Sequence, residues 1–464
     1  MSSVPPAIAS AYDPERFRSD GHRLIDALAD ALAGEQRREG RVLPWREPAE
    51  ARDAWAREPL FGGELIGDLS RVVAASTALH HPRYLAHQVA PPLPGAALAE
   101  LVSALLNNGT GVYEMGPASV PIELAVVRWL CAKVGYGEAA GGALTSGGSL
   151  GNLTALLAMR QAKAGVWARG SERQLAVITS SDAHYSVARA VRVMGWGDAG
   201  IVTVPVDRDH KLRAAAVEAA IDSRVIGIIG AAGSTATGAF DPLDELADVA
   251  ARHGLWFHVD AAHGGGAVLS QQHRGLLSGI DRADSIVWDA HKLMMMPALV
   301  TAVLFRDERH AYEAFAQQAS YLFAGGAPAD TWWDLGQRTL ECTKRMMSIE
   351  LWTALRVHGE AWFGQVVDRL FELTQIFAAK IQATDDFELA LAPEANILCY
   401  RHRTADNRAL REAVMRDGRF YIVGTRLPDG YSLRSTVMNP LTEPEDFDAL
   451  IDHLRRHMRT LCPR

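Results

Sequence analysis

Two short motifs, each at the end of a hydrophobic run, could supply the chemistry of a pyridoxal phosphate site. One run ends in Asp260, and a later run is followed by His291 and Lys292. A carboxylate at the end of a strand can keep the pyridine nitrogen of this cofactor protonated, and a lysine further along the chain can hold the cofactor as a Schiff base. Each motif alone is weak, because strand-end carboxylates and single lysines are common. Together they make a cofactor site the first hypothesis.

A glycine-rich segment upstream could hold the cofactor's phosphate. Residues 145–152 stand just before an apolar stretch, 153–159, that is predicted to be helical. Gly147 and Gly148 let backbone N–H groups approach an anion, Ser149 adds a hydroxyl, and the helix N-terminus contributes positive potential. An ordinary glycine-rich helix start explains the segment equally well when it is considered alone. The segment therefore gains meaning only from the motifs that follow it.

His184 lies between this loop and Asp260 in the sequence, directly after an apolar run predicted to be a strand. Its ring could stack on a flat cofactor. A histidine in this position is more often a helix cap or a core residue. Only its place in the order of motifs favours the cofactor.

Several further stretches resemble a known enzyme family. The matching segments are 81–84, 113–117, 145–152, 183–186, 260–262, 291–292, 319–323, 433–434 and 438–440. Over nearly its whole length the chain is similar to the group II pyridoxal-phosphate-dependent amino acid decarboxylases, the superfamily of glutamate, aromatic amino acid and diaminobutyrate decarboxylases. The resemblance implies a fold type I enzyme that converts an L-amino acid to its amine and carbon dioxide with pyridoxal 5'-phosphate as cofactor.

The resemblance also implies roles for single residues. Lys292 would bind the cofactor, Asp260 would pair with its ring nitrogen, and His184 would stack on the ring. Tyr321, on a catalytic loop, would protonate the substrate Cα after decarboxylation. The further cofactor contacts would be Gly147, Gly148, Ser149, Thr235, Ala262 and His291, and the substrate contacts would be His87 and Arg434. The chain departs from the family pattern at Leu150 and Gly151 in the phosphate motif, and at Asp289, an extra carboxylate near the phosphate.

The motifs leave the substrate open. Residues 113–117 and 320–323 resemble glutamate or cysteine sulfinate enzymes, whereas His87 and residues 342–345 resemble bacterial diaminobutyrate enzymes. An arginine at position 434 suits a substrate carboxylate. We therefore expect an acidic substrate, with diaminobutyrate or an aromatic amino acid as the alternatives.

Two other classes of protein remain in competition. An aminotransferase or carbon-sulfur lyase of the same fold type would share Asp260 and Lys292, but would not explain the sequence around Tyr321. A catalytically inactive protein that only binds the cofactor would not need Lys292, Asp260 and His184 all intact. Release of carbon dioxide without a keto acid separates a decarboxylase from both.

Strand-like and helical stretches alternate between about residues 107 and 305. This alternation predicts a mostly parallel sheet, of the seven-stranded type in this family, with helices on both faces. The predicted strands are 175–178, 201–204, 225–229, 255–259, 286–288 and 299–305. Ligands of such sheets bind beyond the carboxyl ends of the strands, where Asp260, His184 and the glycine-rich loop would lie.

The rest of the chain is predicted to flank this sheet. We expect an N-terminal helical dimerisation segment over 1–90, a large cofactor-binding domain over 91–345, and a small C-terminal α/β domain over 346–464 with strands at 397–400 and 431–436. An apolar stripe on a predicted helix over 14–32, which includes Phe17 and Leu28, would pack on a partner subunit or on its own domain. The family resemblance alone implies a homodimer with the active site at the subunit interface.

Composition excludes some classes of function. The formal charge of -8 over 464 residues, with charges of both signs interspersed, argues against a nucleic-acid partner. The cysteines, Cys131, Cys342, Cys399 and Cys462, lack the spacing of metal ligands, so we predict no metal site. The sequence shows neither an N-terminal signal nor a long apolar run, which favours a cytoplasmic protein without membrane contact.

Overall fold

The structure is a computed structural model in which residues 4–315, 317 and 331–461 are described. Tyr321, predicted to be catalytic, lies outside the described residues, as does the segment around it. None of the helices in the described ranges combines the length and the apolar run that a membrane crossing requires.

A seven-stranded sheet forms the centre of the molecule. Its strands are β1 (Gly141–Thr145), β2 (Ala176–Ser180), β3 (Ile201–Val204), β4 (Val225–Ala231), β5 (Trp256–Asp260), β6 (Ser285–Asp289) and β7 (Thr301–Phe305). They are arranged in the order β1-β7-β6-β5-β4-β2-β3. Strand β7 runs antiparallel to both of its neighbours, and the other pairs are parallel. The predicted mostly parallel sheet is confirmed.

Helices cover both faces of this sheet, because its strands are apolar on both sides. They are α6 (Ser119–Lys133), α7 (Gly148–Ala164), α8 (Tyr185–Val193), α9 (Ala214–Ala219), α10 (Leu243–His253) and α11 (Arg309–Phe315). Successive side chains of a strand point to opposite faces. In β2, Val177 belongs to the cluster that contains Leu156 of α7, whereas Ile178 belongs to the cluster that contains Leu246 of α10.

The flanking segments are helical at the N-terminal side and mixed at the C-terminal side. The first group is α1 (Pro6–Ala11), α2 (Pro14–Gln36), α3 (Pro48–Ala56), α4 (Leu65–Ala75) and α5 (Pro94–Leu106). The second group is α12 (Ser348–His358), α13 (Glu360–Gln382), β8 (Phe387–Leu389), β9 (Ile397–His402), α14 (Asn407–Asp417), β10 (Val423–Leu427), β11 (Gly430–Thr436) and α15 (Pro444–Leu461). Strands β8 to β11 form an antiparallel sheet in the order β10-β11-β9-β8.

Some elements differ from the prediction for local reasons. Strand β1 was not predicted, since it begins with Gly141 and Gly142, which have low β propensity. A Cβ at Gly142 would lie 2.0 Å from the carbonyl oxygen of Val303, so glycine permits the close approach to β7. Strands β8 and β10 were also missed. The predicted domain boundaries stay predictions.

Helix α2 begins at Pro14, as predicted, and continues to Gln36. None of its residues is buried within the described chain. Phe17 is 53% exposed and Leu28 is 42% exposed. The described residues of this chain therefore do not bury the apolar stripe.

Candidate active site

A cavity of about 330 Å³ lies beyond the carboxyl ends of β4, β5 and β6. It brings together all nine residues predicted to contact the cofactor, from segments far apart in the sequence. They are Gly147, Gly148, Ser149, His184, Thr235, Asp260, Ala262, His291 and Lys292. Sequence reasoning did not assign a role to the other residues that line the cavity, Ser146, Asn152, Ala231, Gly233, Ser234, His263, Asp289 and Leu299.

The glycine-rich segment is itself the start of a helix. Helix α7 begins at Gly148, earlier than the predicted start at Leu153, and Gly147 has φ 106° at the N-cap. A Cβ at Gly148 would lie 3.1 Å from both carboxylate oxygens of Asp289, so a larger residue would crowd this wall of the cavity. The first-turn N–H groups of an α-helix lack intrahelical acceptors and can bind an anion. Together with the Ser149 hydroxyl, this end of the cavity suits a phosphate.

Asp260 lies at the end of β5 and lines the cavity. Its Oδ1 accepts a hydrogen bond from the backbone N–H of Ala262 at 3.2 Å. Its Oδ2 accepts one from Nδ2 of Asn152 at 2.8 Å. Two donors fixed by the surrounding fold hold this carboxylate as an acceptor that can face a protonated ring nitrogen.

Lys292 lines the cavity, and its Nζ is 3.1 Å from Oδ2 of Asp289. Oδ1 of Asp289 accepts a hydrogen bond from the Thr301 hydroxyl at 2.6 Å. The unusual carboxylate at position 289 is therefore the counter-ion of the lysine. It also lies beside the N-terminus of α7, whose partial positive charge favours an anion.

His184 has both of the roles that its sequence position allowed, a helix cap and a residue at the cofactor site. It caps α8, since its Nδ1 accepts from the backbone N–H of Ser186 at 3.3 Å. The same ring lines the cavity. Burial lowers the pKa of His184, although the nearby Asp260 carboxylate acts in the opposite direction. The lowered pKa favours a neutral ring at neutral pH.

The two residues predicted to contact the substrate do not line this cavity. His87 and Arg434 line an adjoining groove that shares His184 and Thr235 with it. Nε2 of His87 lies 3.0 Å from the Tyr421 hydroxyl oxygen, and burial lowers the pKa of His87. The predicted positions are thus adjacent to the cofactor cavity rather than inside it.

The Arg434 guanidinium holds together segments on two sides of the groove. It donates from Nε to the carbonyl of Ala236 at 3.1 Å, from Nη2 to that of Thr235 at 2.7 Å, and from Nη1 to that of Ala86 at 3.3 Å. Sequence reasoning foresaw a carboxylate partner and missed these carbonyls. Burial lowers the pKa of Arg434.

Three side chains of metal-ligand type converge elsewhere, between α14 and α15. Ligand atoms of Asp417, His453 and His457 lie within 4.8 Å of one another. Nε of Arg419 donates to Asp417 at 2.6 Å, and Nη2 of Arg456 lies 3.3 Å from Nδ1 of His453. Guanidinium groups therefore already contact two of the three side chains, and the cluster is explained as a hydrogen-bonded contact between two helices.

His263, a cavity residue that the sequence analysis did not single out, makes a testable contribution to acid sensitivity. Burial lowers its pKa from 6.5 to about 3, and its Nε2 lies 2.7 Å from Oδ1 of Asn396. Between these two pKa values the unfolded chain binds a proton that the folded chain does not. The stability that His263 contributes is therefore fully present above pH 6.5 and is lost as the pH falls.

We expect His263→Gln to reduce the dependence of the unfolding free energy on pH between 6.5 and 5. The slope of the unfolding free energy against pH should fall by an amount that approaches the contribution of one proton, about 1.4 kcal/mol per pH unit. Urea unfolding of both proteins at several pH values measures it. The contributions of other groups cancel in the comparison, so equal slopes in the two proteins would contradict the prediction.

The residues that line the cavity fit pyridoxal 5'-phosphate. The α7 N-terminus suits its phosphate, the Asp260 carboxylate suits its pyridine nitrogen, and Lys292 supplies an amine. A model of the pyridoxal-dependent decarboxylase conserved domain matches residues 50–403. The chain belongs to the pyridoxal-dependent decarboxylase family. It is accordingly an amino acid decarboxylase, a carboxy-lyase with pyridoxal phosphate as its cofactor.

Individual relatives agree with this family and differ in substrate. The chain is 31% identical over 446 residues to cysteine sulfinic acid decarboxylase of Mus musculus, an alignment covering 89% of this chain and 90% of the relative. It is 28% identical over 412 residues to L-2,4-diaminobutyrate decarboxylase of Acinetobacter baumannii, covering 81% and 80%. The crystal structure of mouse CSAD in apo form superposes with a TM-score of 0.89 at 27% identity, covering 96% of this chain and 99% of that one. The predicted fold type I is confirmed.

Proposed function

We propose that this enzyme decarboxylates an acidic L-amino acid of the cysteine sulfinate, aspartate or glutamate type. The observation that carries the proposal is the charge of the groove beside the cofactor cavity. Arg426 and Arg434 line it together with His87 and His210, and Asp182 is the carboxylate among its lining residues that the structure describes. Asp182 is engaged by Nδ1 of His210 at 2.6 Å. A substrate with a second acidic group would meet a surplus of positive charge here.

Arg434 can still bind an anion although it contacts three carbonyls. Each of its two terminal nitrogens carries two N–H groups. The described hydrogen bonds use one N–H of each nitrogen. One N–H of each terminal nitrogen is thus left for an anion, and arginine suits a carboxylate, which supports the predicted substrate contact. His87, on the same groove, would lie beside the bound substrate.

The proposed roles of the residues in the cavity follow from their chemistry. When bound, pyridoxal phosphate supplies a sink for the electrons left on Cα as carbon dioxide departs. Lys292 would tether the cofactor, and Asp260 would keep its ring nitrogen protonated. His184 would hold the ring plane. The phosphate would be bound by Gly147, Gly148, Ser149 and His291, and the ring by Thr235 and Ala262. Tyr321, which lies outside the described residues, is proposed to donate a proton to Cα.

We also propose a cytoplasmic homodimer, with the active site at the subunit interface. Apolar side chains exposed on one side of α5 support it, since Leu98, Leu101 and Leu105 are 53%, 47% and 65% exposed at helical spacing. The exposed stripe of α2 supports it further. A single species with a mass near 50.3 kDa in sedimentation would contradict this proposal.

Diaminobutyrate is the second candidate substrate. The Asp182 carboxylate in the groove could hold a distal ammonium group if His210 released it. The similarity to the Acinetobacter baumannii enzyme supports this candidate. Arginine attracts an acidic side chain and repels an ammonium group. The positive charge of the groove should therefore favour an acidic substrate and disfavour diaminobutyrate.

We expect carbon dioxide release from a panel of L-amino acids to be greatest for an acidic member. Arg426→Gln should lower kcat/KM for that substrate about 3- to 10-fold, with a smaller effect at high salt because Arg426 is exposed. Arg169→Gln, which changes an arginine whose side chain is 77% exposed outside the groove, is the matched control. A higher kcat/KM for diaminobutyrate, increased further by Arg426→Gln, would replace this proposal with the second candidate.

A further inference from the structure

A chain of hydrogen bonds leads from the buried core to Asp260. Nε1 of Trp256 donates to Oγ of Ser285 at 2.9 Å, and this Oγ lies 2.8 Å from Nδ1 of His258. Nε2 of His258 lies 3.0 Å from Oδ1 of Asn152. Nδ2 of Asn152 then donates to Oδ2 of Asp260 at 2.8 Å. The chain thus connects residues on α7, β5 and β6.

The donors and acceptors of this chain are consistent with only one direction. An ionised carboxylate accepts only, so the amide nitrogen of Asn152 faces Asp260 and the amide oxygen faces His258. The amide oxygen must accept the Nε2–H of His258. Burial lowers the pKa of His258 to about 4, so the ring is neutral near pH 7 and has its single proton on Nε2. Nδ1 then accepts from the hydroxyl of Ser285.

A branch of the same chain reaches the other proposed ring contact. Nδ2 of Asn152 also donates to Oγ of Ser186 at 2.9 Å. That Oγ lies 2.7 Å from Nδ1 of His184, which also accepts from the backbone N–H of Ser186. Nδ1 of His184 is therefore the acceptor, and the proton of the neutral ring is on Nε2. Asn152 contacts Asp260 directly and His184 through one hydroxyl.

We propose that Asn152 and His258 are positioning residues, which hold Asp260 as an ionised acceptor toward the cofactor's pyridine nitrogen and fix the tautomer of His184. The proposal rests on the roles proposed above for Asp260 and His184, and it does not depend on the substrate. Neutral His258 contributes a fixed dipole rather than a charge. Loss of the hydrogen bond from Asn152 leaves Oδ2 of Asp260 without the donor described here, so that the carboxylate can rotate away from the ring nitrogen.

The test compares His258→Leu with His258→Gln. A glutamine at position 258 can still donate an N–H toward Oδ1 of Asn152, whereas leucine cannot. The readout is the ¹⁵N chemical shift of the pyridine nitrogen in protein loaded with ¹⁵N-labelled pyridoxal phosphate, followed across pH. We expect the leucine variant to lose the proton of the ring nitrogen at a lower pH than the wild type. We expect the glutamine variant to titrate like the wild type.

Catalysis should follow the same order. We expect kcat for the best substrate of the panel to fall about 10- to 100-fold in His258→Leu and to recover largely in His258→Gln. If His258→Leu does not fold, Asn152→Ala replaces it in the ¹⁵N titration, because this change removes the side chain on α7 that donates to Asp260. Ser186→Ala breaks only the branch to His184, and should leave the ¹⁵N titration unchanged.

Asp260→Asn separates a failure of this proposal from a failure of its premise. If Asp260→Asn shifts the titration and both His258→Leu and Asn152→Ala leave it at the wild-type value, the positioning role is wrong while the role of Asp260 holds. If none of the three shifts it, the assignment of Asp260 to the ring nitrogen is wrong, and the positioning proposal falls with it. The ¹⁵N readout needs no substrate, so it remains decisive even if the acidic-substrate proposal fails.

Discussion

Lys292→Ala is expected to reduce carbon dioxide release from every L-amino acid by at least about 1000-fold. The lysine lines the cavity formed at the ends of β5 and β6, and its Nζ is 3.1 Å from the Asp289 carboxylate. Among the described residues that line this cavity, Lys292 carries the amine. Alanine removes the group that can bind the cofactor covalently. The variant should also contain no cofactor fixed by borohydride reduction.

Lys163→Ala is the matched control for this prediction. Lys163 is an exposed residue near the end of α7, and its Nζ donates to the carbonyl of Gly254. This variant should keep wild-type activity and a wild-type mass increase after borohydride reduction. Activity of Lys292→Ala within about tenfold of the wild type, or reductive labelling that persists in it, would show that another residue binds the cofactor.

Asp260→Asn should give the second large effect, a loss of about 1000-fold in kcat with the cofactor still bound. Asparagine has nearly the same size and can still accept from Asn152. It has no negative charge, so it cannot stabilise a protonated ring nitrogen. The electrons left by departing carbon dioxide would then lack their sink. Steady-state kinetics and the absorbance of the bound cofactor measure the two parts of this expectation.

The control for this variant is Asp452→Asn, at a position on α15 whose side chain is 65% exposed. It changes the formal charge of the protein by the same amount without touching the cavity, and should leave kcat unchanged. An Asp260→Asn enzyme that keeps more than about a tenth of wild-type kcat would remove Asp260 from the proposed mechanism.

The sequence was sufficient to predict the cofactor cavity because neighbouring parallel strands end at one edge of a sheet. Asp260 ends β5, and Lys292 shortly follows β6, the neighbouring strand. The glycine-rich loop could be interpreted in the same way, although its helix begins at Gly148 rather than Leu153. Local sequence patterns were therefore enough to predict the site residues that lie at or just after the ends of strands.

Contacts between distant segments could not be predicted in this way. The Arg434 guanidinium donates to the carbonyls of Thr235 and Ala236, about 200 positions earlier. No sequence pattern indicates a backbone acceptor. Likewise, Asn152 and His258 are separated by 106 positions, and the sequence showed only a loop asparagine and a strand histidine. Their partnership depends on the packing of α7 against β5.

Substrate charge is the central claim, and a competition assay tests it most directly. The cofactor-loaded enzyme would receive equal concentrations of L-cysteine sulfinate and L-2,4-diaminobutyrate, and the two amine products would be quantified. The product ratio equals the ratio of the kcat/KM values. We expect at least about tenfold more amine from cysteine sulfinate, because the groove beside the cofactor carries Arg426 and Arg434. An excess of the diamine product would contradict the acidic-substrate account.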